Sequence, residues 1–359
     1  MSFAIISTSA ILDFDLVSLV GEQGKNSTVY LANDKQLDAQ LVMKVIEKTR
    51  FATPDEFYAE AKRLYDSEHQ HVVQIKYACQ DNDNIYLAMP YYQNGSLKSL
   101  MNRRFLTVRE IIRYSLQFLQ GLNNIHVKGF IHFDIKPDNI LLSNTNEALV
   151  ADFGISKNMD GQGLSPIGNV YISHLPPEAF TETAQSMLYD IYSAGLTMYR
   201  MCNGNQTFYG QLSQLQKAQR FDFDALKLAI SSGTFPSRTE YFPHIPNALR
   251  KAINKAINPN KGDRHATVLD LMNQLSPIDK LLDWQFTSYG DRQEWVLDTD
   301  GNTIRVTYTW DANNHTIQTT KIAKPNGQTK RVIAGCMNHL AVKNVGKKVQ
   351  ALLLSLEKT

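Results

Sequence analysis

The sequence predicts an α+β fold with three parts: a β-rich N-terminal region, a helical middle, and a small antiparallel β-meander closed by one helix. Three observations carry this. Short β-type runs punctuated by turn residues fill the first ninety or so positions. From Thr107 onward apolar residues recur at helical spacing. After about Leu282 strand-like runs return, together with all three tryptophans, Trp284, Trp295 and Trp310.

Phe14–Val20 and Thr28–Asn33 read as strands around a polar, glycine-containing turn, and Leu41–Ile46 as a short buried strand. Thr53-Pro54-Asp55-Glu56 reads as a helix start, with a capping Thr, Pro at the first position and acids in the first turn. Its apolar residues Phe57, Ala61, Leu64 and Tyr65 follow helical spacing. Val72–Ala78 and Ile85–Met89 read as a hairpin around the polar run 80–84. The stripe Ile111, Ile112, Ser115, Leu116, Phe118, Leu119, Leu122 and Ile125 predicts a long helix, with more over about Asp190–Cys202, Ala248–Ile257 and Thr267–Leu275. Glu294–Leu297, Thr303–Thr309, Thr316–Ile322 and Arg331–Ala334 predict the meander, and Val345, Val349, Leu352, Leu353 and Leu356 line one side of a closing helix.

With 359 residues the chain has room for two or three domains, and 43% hydrophobic residues supply a sizeable core and exclude disorder. The net charge of +2 gives no support to whole-molecule nucleic-acid binding. That total hides an asymmetry: residues 321–359 carry eight Lys/Arg and one acid, +7, while the other 320 residues carry 29 basic and 34 acidic, −5. A basic end of this kind fits an acidic partner or the chain's own acidic body. Cys79, Cys202 and Cys336 are far apart and odd in number, so neither a zinc ribbon nor a disulfide framework is expected. No apolar run approaches the length of a membrane span. The apolar start lacks a basic flank and is followed by Asp13 and Asp15, so no signal peptide and a cytoplasmic location are expected.

The chemistry concentrates in Ile131-His132-Phe133-Asp134-Ile135-Lys136-Pro137-Asp138-Asn139-Ile140-Leu141-Leu142, followed by Ala151-Asp152-Phe153-Gly154. One Asp, a Lys two on, an Asn five on and a second Asp thirteen beyond that Asn make a phosphoryl-transfer constellation. The segment resembles the catalytic loop and D-F-G motif of eukaryotic-type (Hanks-type) serine/threonine protein kinases, with H-F-D in place of H-R-D. The resemblance covers about Phe14–Ser276. It implies a bilobal protein-kinase fold over 1–278, with an N-lobe at about 12–92 and a C-lobe at about 93–278, and leaves 283–359 as an appended module whose expected role is targeting or substrate recruitment.

The resemblance also implies roles. Asp134 would orient the attacking hydroxyl, Lys136 would place a charge near the γ-phosphate, and Asn139 and Asp152 would offer hard oxygens to Mg²⁺, with Mn²⁺ as a substitute. Lys44, inside the apolar run Leu41–Ile46, would reach the α/β-phosphates of ATP and pair with Glu60; Glu56, one turn earlier, is the other candidate. The run Tyr86–Leu97 resembles the hinge. Met89 would be the gatekeeper, the Pro90 carbonyl and the Tyr92 N–H would read adenine, and Val29, Val42 and Leu141 would enclose the ring. The glycine-rich loop is degenerate: its template positions fall on Glu22, Gly24 and Ser27, and only Gly24 matches. Leu175-Pro176-Pro177-Glu178, Asp190 and Arg264 match structural positions of the family.

Two departures matter. Phe133 stands where the family has an Arg that pairs with an activation-loop phosphate, so activity independent of phosphorylation at Ser165, Tyr171 and Ser173 is expected. The segment Gly168–His174 is out of register with the family's Gly-Thr, and His174 reads as a surface residue or as part of peptide recognition. Protein substrates and Ser/Thr transfer are the expected function. A pseudokinase scaffold and a small-molecule kinase are the alternatives.

Overall fold

In a computed structural model, which describes residues 11–20, 27–51, 53, 56–154, 156–166, 172–217, 220–311, 314–324 and 326–357, the chain divides into two units, residues 1–93 and 94–359. The first unit contains β1 (Phe14–Leu19), β2 (Thr28–Asp34), β3 (Ala39–Glu47), α1 (Ala59–Asp66), β4 (Tyr77–Gln80) and β5 (Asn84–Pro90). The strands form one antiparallel sheet in the order β1-β2-β3-β5-β4. Its β2–β3 turn is fixed by Asp34, which accepts from the amides of Gln36 and Leu37 and from the Tyr77 hydroxyl.

Residues directly opposite in a ladder share a face. Met43, Leu41, Ala32 and Ala88 line one face with Phe14, Val45, Tyr77 and Tyr86 against them. Ile46, Ile85 and Leu87 line the other, where Ala61 of α1 packs. Two sequence boundaries shift. The helix expected from Thr53 begins at Ala59: Glu56 N–H bonds Thr53 O in a single turn, and Phe57 packs on Phe51 at 5.4 Å between ring centroids, which holds residues 56–58 out of helical register. Pro54 and Asp55 lie outside the described residues. The hairpin strand expected from Val72 begins at Tyr77, because pairing to β5 starts only where Lys76 N–H bonds Ala88 O.

The second unit opens with α2 (Leu97–Arg103), α3 (Val108–Val127) and β6 (Phe130–Ile131), then β7 (Ile140–Leu142) and β8 (Ala148–Val150), which form a hairpin. The short strands β9 (Lys157–Asn158), β10 (Ser165–Pro166) and β11 (Ala184–Gln185) follow, with β9 on β6 and β10 on β11. Next come α4 (Leu188–Ser213), the small hairpin β12 (Gln216–Lys217) and β13 (Arg220–Phe221), α5 (Phe223–Ser231), α6 (Asn247–Ala256) and α7 (Val268–Leu275). The long α3 starts at a capping box in which Thr107 and Glu110 satisfy each other's amides. Helix α4 is buried from Tyr189 through Asn205. Over that stretch it has no solvent face, and its apolar residues are not confined to one stripe.

The last part of this unit is a five-stranded antiparallel sheet: β14 (Gln285–Ser288), β15 (Arg292–Asp298), β16 (Asn302–Trp310), β17 (His315–Ala323) and β18 (Thr329–Arg331), closed by α8 (Val342–Leu356). Strand β14 escaped the sequence reading because four residues are too short to show alternation. The strand expected at Arg331–Ala334 lies two residues earlier, and residues 333–335 form a 3₁₀ turn. A Cβ on Gly335 would stand 2.5 Å from Thr319 Oγ1, so the backbone presses against β17 there instead of laddering on.

Trp284, Phe286, Trp295, Val306, Ile317, Val349 and Leu353 form a single buried core, and Phe105 and Phe242 from the helical part insert into it. Phe286 lies 4.4 Å from Phe242 and 4.8 Å from Phe105, centroid to centroid. Trp295 Nε1–H donates to His244 Nδ1 at 3.1 Å, and Gln350 Nε2 donates to the carbonyls of Pro243 and Ile245. Arg109 grips both oxygens of Asp283 at 2.5 and 2.8 Å. That pair is largely exposed and contributes at most about 1 kcal/mol, so the aromatic contacts dominate the junction. The three cysteines are free. Among the described residues no helix is long and apolar enough to cross a membrane.

His244 generates a prediction. It is wholly enclosed and neutral: burial pulls its pKa from 6.5 down to about 3, with the nearby Arg250 acting in the same direction. The unfolded chain takes up this proton near pH 6.5, whereas the folded chain refuses it until about pH 3. Its stabilising contribution is therefore complete above pH 6.5 and lost as pH falls through that window, at about 1.4 kcal/mol per pH unit. Urea unfolding free energies measured from pH 7 to 4 should fall less steeply, by about that slope, in His244→Asn, which keeps an acceptor for Trp295. Equal slopes would exclude the imidazole as the cause.

Candidate active site

The site in the second unit is built on one buried carboxylate. Asp190, in the first turn of α4, is completely inaccessible. Its Oδ2 accepts from the His132 amide and its Oδ1 from the Phe133 amide, both at 2.8 Å, and Oδ2 also meets His126 Nε2 at 2.8 Å. Three donors satisfy the charge, and the positive end of the α4 dipole favours it further. This clamp holds the chain as it leaves β6, where Phe133 adopts φ +68°. A bulky side chain rarely occupies that region, and holding it there costs about 1–3 kcal/mol. The two hydrogen bonds and the packing of the Phe133 ring on Tyr189, 5.0 Å away, oppose that cost.

Asp134 follows at once. Lys136 Nζ lies 2.9 and 2.8 Å from its two carboxylate oxygens, and Asn139 Nδ2 donates to Oδ2 at 2.7 Å and to the Asp134 carbonyl at 3.0 Å. Because the Asn139 amide nitrogen serves Asp134, its amide oxygen is left as a hard ligand. The β7–β8 hairpin, extended by the bond from Ala151 N–H to Asn139 O, brings Asp152 to the same end as Asn139. Asp152 is exposed with φ +64°, while the next ring, Phe153, is fully buried and packs on His132 at 5.1 Å. His132 takes the Asp134 amide on Nδ1 and faces the Ala151 carbonyl through Nε2, so its proton is on Nε2. Burial holds its pKa below the usual histidine value. An amide oxygen and one carboxylate fit Mg²⁺, which is usually held by one or two protein oxygens together with substrate phosphates.

Downstream, Glu178 and Arg264 form a bidentate pair with both bonds at 2.7 Å, and both side chains are buried. Arg264 also reaches the carbonyls of Asn258 and Leu188. The pair ties the segment after His174 to the residues before α7.

In the first unit, Lys44 is buried on β3. It stands opposite Val29 on β2 and Leu87 on β5, and Val42 stands opposite Met89. Val29, Val42, Lys44 and Met89 therefore share the face on which α1 packs. Pro90 ends β5 and Tyr92 follows it. Glu60 lies in α1, but its side chain is outside the described atoms, as is all of Gly24; Ser27 directly precedes β2. Leu141 lies on β7 and bridges to Ser96.

One expectation is overturned. His174 is only 4% exposed and is not a surface residue. Its Nε2 is 2.9 Å from Nη1 of Arg200, which is entirely buried in α4. The sequence reading missed Arg200. Its signal was a lone cation among Leu196, Met198, Tyr199 and Met201.

A carboxylate with a lysine and an amide fixed to it, and a second carboxylate at the mouth of a hairpin, make up the site. Residues 14–275 match the family described as the protein kinase domain, and the chain belongs to that family. A probable serine/threonine-protein kinase of Clostridium perfringens is 27% identical over 74% of this chain and 38% of its own length. Serine/threonine-protein kinase PknD of Chlamydia muridarum is 26% identical over 79% of this chain and 34% of its own. PknL of Mycobacterium tuberculosis is 26% identical over 75% and 67%. The chain thus spans well under half the length of the first two relatives.

The buried pair gives a stability prediction. Glu178→Gln strands the Arg264 charge and should cost about 3–5 kcal/mol in urea unfolding. Lys261→Ala, which breaks the solvent-exposed pair with Glu182, should cost less than about 1 kcal/mol. Similar losses would show that burial does not set the difference.

Proposed function

We propose that this chain is a Mg-ATP-dependent protein kinase that transfers the γ-phosphoryl group to Ser/Thr hydroxyls of protein substrates. The observation that carries the reading is the Asp134 carboxylate, held by Lys136 and Asn139 in a loop that Asp190 fixes. Asp134 accepts the hydrogen bond of the incoming hydroxyl and aims its oxygen. Lys136, held beside that carboxylate, stabilises charge on the transferring group. Mg²⁺, when bound through Asn139 and Asp152, supplies the positive charge that phosphate oxygens require. From the first unit we assign Lys44 to the α/β-phosphates with Glu60 as its partner. Val29, Val42, Met89, the Pro90 carbonyl and the Tyr92 N–H serve the adenine, and Gly24 and Ser27 belong to the phosphate lid.

The same reading makes the enzyme independent of activation-loop phosphorylation. Phe133 cannot pair with a phosphate. Instead its ring packs with Ile131, Leu175 and Tyr189, which anchors the activation segment by apolar contact. The β10–β11 pairing provides a second anchor. Ser165 and Ser173 are buried and poorly placed as acceptors. We assign residues 12–92 and 93–278 as the two kinase lobes and 283–359 as an appended recruitment module. Its Lys330, Arg331, Lys343, Lys347 and Lys348 are exposed, which suits an acidic protein partner with attraction that weakens as salt rises.

Incubation of the chain with Mg-ATP, followed by mass spectrometry, should show phosphoserine or phosphothreonine on the chain itself or on proteins added as a mixture. The label should fall at least about a hundredfold in Asp134→Ala and in Asp152→Ala. Label that persists in both variants refutes the site, and label only on a metabolite would identify a small-molecule kinase. The triple variant Ser165→Ala, Tyr171→Phe, Ser173→Ala should keep activity within about threefold of the parent. A collapse with an unchanged thermal melt would return control to the activation loop.

A further inference from the structure

Arg200 and His174 lie beneath the catalytic loop, and neither has a role in the assignments above. An arginine stays charged, and burying its guanidinium is costly unless every donor is used. Here Nε and Nη2 donate to Asn205 Oδ1 at 3.1 and 2.8 Å, Nη2 reaches the Tyr209 hydroxyl at 3.2 Å, and Nη1 reaches His174 Nε2 at 2.9 Å. The rings of Phe208 and Tyr209 lie within 5.3 Å of the guanidinium carbon. Asp138 Oδ2 is 3.9 Å away, and Lys98 holds the other oxygen of that carboxylate at 2.7 Å.

This cage depends on a break in α4. Gly204 leaves the helix at φ +79°, ψ 158°, and turns Asn205 back onto Arg200. Asn205 is itself fixed by its Nδ2 donating to Asn102 Oδ1 at 2.7 Å. A side chain at 204 would collide with Phe105, whose ring stands 2.8 Å from the position of a Cβ.

Arginine can only donate, so His174 Nε2 accepts and the imidazole proton sits on Nδ1. The ring is thereby fixed as the neutral tautomer, and it faces the backbone carbonyl of Ile135. Ile135 lies between Asp134 and Lys136, and Asp138 adjoins Asn139. The Arg200–His174 unit therefore touches the catalytic loop on both sides of Lys136. His174 in turn closes the activation segment, four residues before the Glu178 anchor.

We propose that His174 and Arg200 form a positioning pair that fixes the catalytic loop against α4 and the end of the activation segment, and so sets the placement of Asp134, Lys136 and Asn139. This rests on the reading of Asp134 as the orienting base.

The test uses the full chain with Mg-ATP and dephosphorylated casein as acceptor, and measures kcat and the KM for ATP. Hydrogen exchange of the peptide covering residues 132–139 is measured alongside. His174→Phe and Arg200→Met should each lower kcat about ten- to a hundredfold, because small misplacements of reacting groups are that costly. The KM for ATP should stay within about twofold. The double variant should fall no more than about threefold below the slower single one, since the pair acts as a unit. His174→Asn, which keeps a donor near the position of Nδ1, should recover part of the loss. Exchange over 132–139 should be faster in His174→Phe than in the parent. Losses that multiply in the double variant, a change confined to KM, or unchanged exchange would each overturn the proposal. If His174→Phe fails to fold, His174→Asn and Arg200→Lys carry the same comparison. If Asp134→Ala retains transfer, or the parent shows none, the base assignment is what fails, and the exchange measurement alone decides the pair.

Discussion

The candidate site in the second unit depends on the Asp190 carboxylate. It is the single acceptor for two consecutive backbone amides, at His132 and Phe133, in a place where water cannot replace it. A loop that turns through a left-handed residue has no ladder to support it, so its amides need a partner from elsewhere. Asp190 supplies that partner from a helix rigid enough to carry it, because α4 is buried from Tyr189 through Asn205. His132, held in this way, passes the constraint on: it accepts the Asp134 amide and packs under Phe153, so Asp134 and Asp152 are placed by one anchor.

Charge and apolar packing divide the work around that anchor differently from the motif the chain resembles. An arginine at position 133 would be a cation awaiting a phosphate. The phenylalanine instead completes an apolar cluster with Ile131, Leu175 and Tyr189, whose strength does not depend on a modification. A permanent cation appears instead at Arg200, one helix away and fully enclosed. A buried charge survives only where its donors are all taken, and here the acceptors come from the α4 break, the activation segment and the catalytic loop together.

The C-terminal sheet enters the same network through packing. Phe286 meets Phe105, and Phe105 meets the backbone at Gly204, where α4 breaks to deliver Asn205 to Arg200. The sheet shares its hydrophobic core with the helical part, so the aromatic residues that stabilise it are also neighbours of the residues that shape the loop. Trp284 and Trp295 serve this core and are unavailable to a ligand, whereas the lysines of α8 face solvent.

The sequence alone determined what depends on local chemistry and spacing. Asp134, Lys136, Asn139 and Asp152 were legible because their functional groups sit at fixed separations on one short stretch, and a hairpin of that length has little freedom to part them. The long stripe of α3, the capping Thr107 and the alternation of β15 to β17 were legible for the same reason: periodicity is a local property. Tertiary structure alone decided the fate of isolated residues. His174 and Arg200 are 26 positions apart and carry no pattern, and only the crossing of α4 beneath the loop makes them partners. The same holds for Phe105 and Phe286, and for the late start of α1, which follows from Phe57 finding Phe51. Burial is a property of the assembled chain, and it turns a polar residue that a sequence presents as a surface group into a constraint on the site.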